Sequence, residues 1–153
     1  MKKKSLLATY VKIFIVIALM LVAIYALIRF VDNGYSNEMY ETIKTNMLLI
    51  QGKTEVIAQK VEIKEKGAEL IGTKIKDKQE EEPIKKLIQA GIINIESKDN
   101  NYYCLSNEDL KKLGLENITT NNYYIVDYKK NDIIYVDGIQ NQSGNIVYKL
   151  SEM

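Results

Sequence analysis

Histidine and tryptophan are absent from the 153 residues, and cysteine and proline occur once each. Without histidine the commonest general base and metal ligand is missing, which excludes a Ser-His-Asp triad, a Cys-His pair and an ordinary zinc site. A single cysteine excludes an internal disulfide. Cys104 sits in the short β-like run Tyr102-Tyr103-Cys104-Leu105 and reads as a buried thiol without chemistry. Gly-rich phosphate loops are missing, and Glu80-Glu81-Glu82 stand in a charged stretch with none of the cleft geometry a carboxylate pair needs. Asp127, Asp132 and Asp137 are five apart and lack the closing glutamate of a calcium loop, so solvation of hairpin ends explains them better. The chain is expected to be no enzyme and to hold no metal or cofactor.

What the chain does have is a long apolar run near its start. Ile13 to Ile28 is 16 residues without a charge, and extended back to Leu6 across Lys12 the run reaches 23. A bilayer core of about 30 Å needs roughly 20 residues of helix, so Leu6, Ile13, Ile17, Leu21, Ile24 and Ile28 are expected to lie in a transmembrane anchor. Residues 1–31 hold five basic and no acidic residues, and the remainder holds 16 basic and 20 acidic. The positive-inside rule then predicts a cytoplasmic amino terminus and a domain outside the membrane. A cleaved signal peptide would have an apolar region of about 7 to 15 residues and a small-x-small site. The best candidate here, Ile24-Tyr25-Ala26, lacks the first small residue, so the anchor is expected to be retained. The mildly acidic remainder argues against nucleic acid, whose phosphates need clustered Lys and Arg.

Beyond the anchor, Asp32-Asn33-Gly34 resembles a turn, and Ser36 or Asn37 is a candidate cap for a second helical stretch. From there Ile43, Met47, Ile50, Thr54, Ile57, Val61, Lys64, Ala68, Ile71 and Ile75 alternate spacings of four and three. That pattern predicts an amphipathic helix of about 35 residues. It marks either a coiled-coil seam or one face packed on the chain's own domain. Gly52, Gly67 and Gly72, each costing about 1 kcal/mol relative to Ala, and the polar Thr54 and Lys64 favour packing on the chain's own sheet.

Pro83 suits the first turn of a short helix through Ala90, and Ile92 to Ile95 is a candidate strand. Ser106 with Asp109 three residues on is a capping-box start to a helix over 107–113. The last thirty residues predict a β-meander over Tyr123–Tyr128, Ile133–Asp137 and Ile146–Leu150. Its expected inner face is Tyr124, Val126, Tyr128, Ile134, Val136, Ile146, Tyr148 and Leu150. Every aromatic after Phe30 is tyrosine, and seven of the eleven tyrosines follow residue 100, which suits a thin sheet. The expected architecture is therefore α+β in three parts: an anchor over 1–31, a helical stalk over 32–79 that packs on the sheet, and a small α+β domain over 80–153.

The order of these parts resembles the pilin-like proteins of low-GC Gram-positive bacteria, the type IV pilins and type II secretion pseudopilins. The resemblance rests on the stretch from Ile43 to Lys53, on Tyr102-Tyr103-Cys104-Leu105-Ser106-Asn107-Glu108-Asp109-Leu110, and on the terminal runs Tyr124–Tyr128, Ile134–Ile139 and Tyr148–Ser151. It implies a membrane-anchored structural or interaction domain, accessory to an envelope assembly or secretion apparatus. One departure stands out. Assembling family members carry a glycine at the prepilin-peptidase site and a glutamate five residues into the mature chain, whereas here no glycine precedes Gly34 and no acid precedes Asp32. The resemblance therefore implies a pilin-like domain on a permanent anchor. Expected partners are membrane lipid and another protein or a second copy, and no small-molecule substrate is evident. The alternatives are a septum-type coiled-coil membrane scaffold and an extracellular ligand-sensing domain.

Overall fold

The computed structural model describes the backbone of residues 2–153 and the side chains of residues 14–26 and 37–153. It is α+β, with helices and a five-stranded antiparallel sheet. Two units are distinct, Met1–Glu38 and Met39–Met153. The first is helical; the second holds the sheet and everything packed on it.

Helix α1 runs Lys2–Glu62. The backbone at Asp32-Asn33-Gly34, where the sequence resembles a turn, is helical. With no proline there, the cost is one glycine at about 1 kcal/mol. The far end of α1 corrects the expected stalk: the helix stops at Glu62 and does not reach Ile75. Lys64 adopts the left-handed conformation at φ +55°. Its N–H donates to the Val61 carbonyl at 3.1 Å and the Glu65 N–H to the Lys60 carbonyl at 2.9 Å. These are the two bonds of a Schellman cap. The polar residue that broke the apolar stripe is thus the residue that ends the helix.

The chain then enters β1 (Thr73–Lys74), a 3-10 turn over Ile75–Asp77 and helix α2 (Glu82–Gln89), with Pro83 in its first turn as the sequence predicts. Ile92 to Ile95 is not a strand, because the amides of Ile92 and Ile93 fold back onto the Leu87 carbonyl at 3.0 and 3.3 Å. There follow β2 (Tyr102–Leu105), α3 (Asn107–Lys112), β3 (Tyr124–Asp127), β4 (Asp132–Gln140) and β5 (Ile146–Lys149). The sheet order is the chain order, a five-stranded meander, and every neighbouring pair is antiparallel.

The sheet is covered on both faces, which overturns the expected single inner face. Asp127 pairs with Asp132 across the turn 128–131, so even-numbered residues of β3 lie opposite odd-numbered residues of β4. Tyr124 and Val126 therefore share a face with Ile133 and Tyr135, while Ile134 and Val136 take the other face with Ile125. The first face packs under Met47 and Ile50 of α1, Leu110 of α3 and Leu113, Leu115 and Ile118. The second packs under Ile75, Ile84, Leu87 and Ile93. All four residues of β3 are buried as a result. Beyond Ile134 the β4–β5 register shifts. Gly138, at φ +66°, leaves room there that a Cβ would take from the Tyr148 ring at 2.7 Å. Ile146, expected inside, is exposed, and Val147 is buried instead.

Candidate functional site

Apolar residues on α1 arise in two ways. Phe14 to Ala26 are exposed on every side of the helix, with Phe14 at 73% and Leu21 at 62% exposure. A helix that is apolar all round is stable only inside a large core or a bilayer. Ile17, Leu21 and Ile24 of the expected anchor belong to this exposed segment, whereas Leu6, Ile13 and Ile28 lie outside the residues whose side chains are described. Among the described residues no helix is long and apolar enough to cross a membrane. The stretch 14–26 is shorter than the roughly 20 residues a bilayer core requires.

The apolar stripe further along α1 has a different environment. Met47 and Ile50 are fully buried in the first core, with Ile43 and Ile57 packed at its edge and Val61 half-buried beyond. Thr54, also buried, satisfies its own hydroxyl by donating to the Ile50 carbonyl at 2.9 Å. Outside the core, the Gln51 amide donates to the Asn131 carbonyl at 2.6 Å and the Lys44 ammonium to the Met153 carbonyl at 3.1 Å. The stripe does not remain on one helix face to its end. Ile71 lies in the chain after α1 and packs against the first core, while Ile75 is buried in the second, on the opposite side of the sheet.

The polar groups of the domain hold the fold in position. Burial pushes the Cys104 thiol up to about 12, so it is neither a nucleophile nor a ready ligand at neutral pH. Asp127 is buried at the β3–β4 turn and accepts from the backbone N–H groups of Asn101, Lys129 and Lys130 at 3.0, 3.1 and 3.3 Å. Asp132 accepts from Ser151 through both oxygens, at 3.1 and 2.7 Å, and Asp137 accepts from Asn122. The three aspartates thus bind separate partners. Among the described residues no group of His, Cys, Asp and Glu side chains converges as a metal site.

Two further constellations escape sequence reading. Lys78 donates to Glu81 at 2.7 Å and to the Tyr123 hydroxyl at 2.8 Å, and its ammonium stands 4.6 Å from the Tyr123 ring centre. The bond it donates to Glu81, then that to Tyr123, holds the Lys78 ammonium above its ordinary range, and the same lysine holds the Glu81 carboxyl below its own. Beside β1 a half-open cleft of about 330 Å³ is lined by Lys74, Lys76, Ile95, Lys98, Asn100 and Tyr102, among others. The Asn100 Oδ1 atom is buried without a hydrogen-bond partner. The cleft forms because β1 brings residues 74–76 against 95–102, and no local pattern announces a two-residue strand. No protein-family model, curated protein or solved structure matches the chain.

Proposed function

We propose that this chain is a single-pass membrane protein that presents a small, non-catalytic, pilin-like domain outside the cytoplasmic membrane. Residues 6–28 form its anchor, and its amino terminus faces the cytoplasm. It acts through lipid and protein contacts, as a structural or interaction element accessory to an envelope assembly or secretion apparatus. The observation that carries this reading is the apolar segment 14–26, exposed all round in a chain whose sheet domain already has both faces covered. Four lysines precede it and the acidic balance follows it, which supports the orientation. The polar groups support the non-catalytic reading, since the thiol is buried and Asp127, Asp132 and Asp137 are each hydrogen-bonded to separate partners.

Membrane fractionation tests it. The full chain should stay in the membrane pellet through alkaline extraction. Ile17→Lys with Leu21→Lys should release it, because each lysine near a span's centre costs about 3 kcal/mol of insertion. A wild-type chain recovered in the soluble fraction would overturn the reading.

A further inference from the structure

The outward side of α1 in the domain carries a second line of aligned positions, apolar at Leu49, Val56 and Ile63. At 3.6 residues per turn, Thr45, Leu49, Gly52, Val56, Gln59 and Ile63 align with spacings of four and three. They lie opposite Met47, Ile50 and Thr54, which face the sheet. Ile63 falls just past Glu62, but its N–H still donates to the Gln59 carbonyl at 3.0 Å, so it keeps the helical position. Leu49 is 49% exposed, Val56 51% and Ile63 73%. A Cβ built at Gly52 meets nothing within 4 Å. The helix thus uses one face for its own domain and leaves the other open.

We infer that a second copy of this chain covers that face, the two α1 helices pairing in parallel along Thr45, Leu49, Gly52, Val56, Gln59 and Ile63. The inference rests on the membrane reading above, which makes any two copies parallel because both enter the bilayer by the same segment. Charge selects the same arrangement. In a parallel pair with this seam, the residue before Leu49, Val56 or Ile63 faces the residue five further along the partner. Glu55 of each copy then faces Lys60 of the other, giving an opposite-charge pair on each side of the seam. Lys60 makes a 3.4 Å surface contact with Glu65, which is about half exposed, and such a contact is worth little. Gly52 against Gly52 permits a close approach of the backbones. The seam is under three heptads and contains one glycine, so it pairs weakly in water and depends on confinement in the membrane to raise effective concentration.

Disulfide trapping in the full chain, reconstituted in bilayers, tests this. Leu49→Cys and Val56→Cys should form dimers on oxidation with yields on the order of tenfold above Lys111→Cys, an exposed position on α3. The native Cys104 is buried and contributes no background. Glu55→Lys and Lys60→Glu should each lower the yield of the Val56→Cys dimer severalfold, and the two together should restore it. Equal yields at positions 49, 56 and 111, or single charge reversals that leave the dimer intact, would overturn the pairing. Vesicle flotation separates the two ideas. A chain that floats without trapping at the seam overturns the pairing alone, and a chain that does not float overturns both.

Discussion

Tyr128 holds the segment that follows the first helix through one hydroxyl. The Ile71 N–H donates to it at 3.2 Å, and it donates to the Ile71 carbonyl at 2.9 Å. Its ring meets Tyr103 edge-on at 5.2 Å. Burial, only partly opposed by the bond to Ile71, pushes its pKa up to about 12. A raised pKa means that the folded state favours the protonated phenol. That stabilisation is complete below the ordinary value near 10 and is lost as pH rises through about 12. Tyr128→Phe should cost about 1–2 kcal/mol at neutral pH and flatten the alkaline loss of stability, as urea melts of the full chain in micelles at pH 8 to 12 would show. Asp109 behaves in the opposite sense. Burial raises its carboxyl, but the Ser106 hydroxyl at 2.7 Å and backbone N–H at 3.0 Å, with Lys112, outweigh that and hold it below the ordinary range. Its contribution is present above a pH of about 4 and fades as pH falls through the lowered value. Ser106→Ala should cost about 1 kcal/mol and make the loss of stability in acid shallower, as urea melts repeated below a pH of about 5 would show.

At the scale of elements, legibility depended on whether the deciding interactions were local. The capping box of α3 and the Pro83 start of α2 lie within a few residues of sequence, and both are present. The stripe from Ile43 to Ile57 was legible as an amphipathic face because its period is a property of the helix itself. Its continuation to Ile75 was misleading: Lys64 ends α1, and Ile71 and Ile75 are apolar for the sake of two different cores. The sheet's faces were misassigned for a similar reason, since the four-residue turn 128–131 sets the parity between β3 and β4. The two-residue β1 was not legible at all, because it exists only by pairing with β2. At Gly72, φ is +108° and a Cβ would stand 2.8 Å from the Cys104 carbonyl oxygen. Gly72→Ala should therefore cost on the order of 1–3 kcal/mol and disturb β1. On α1, Met47→Ala should cost about 2–5 kcal/mol of folding stability, while Leu48→Ala, exposed one residue on, should stay within about 0.5 kcal/mol. Chemical denaturation of the paired variants measures the contrast directly.

For the whole molecule, the sequence and the structure divide the labour between two kinds of apolar surface. One is consumed by a sheet packed on both sides; the other, residues 14–26, has no described side chain covering it. Among the described residues the lysine-lined cleft beside β1 is a candidate pocket, and that cleft could not be seen before residues 74–76 met 95–102. The central claim is presentation of the domain across a membrane by a retained anchor. Labelling of intact cells with a membrane-impermeant thiol reagent tests it most directly. Two variants suffice: Lys111→Cys on the domain surface and Lys3→Cys before the apolar run. The native Cys104 is buried and should remain silent. The account predicts that position 111 labels in intact cells while position 3 labels only after lysis. Labelling of both only after lysis, or of position 3 alone in intact cells, would contradict it.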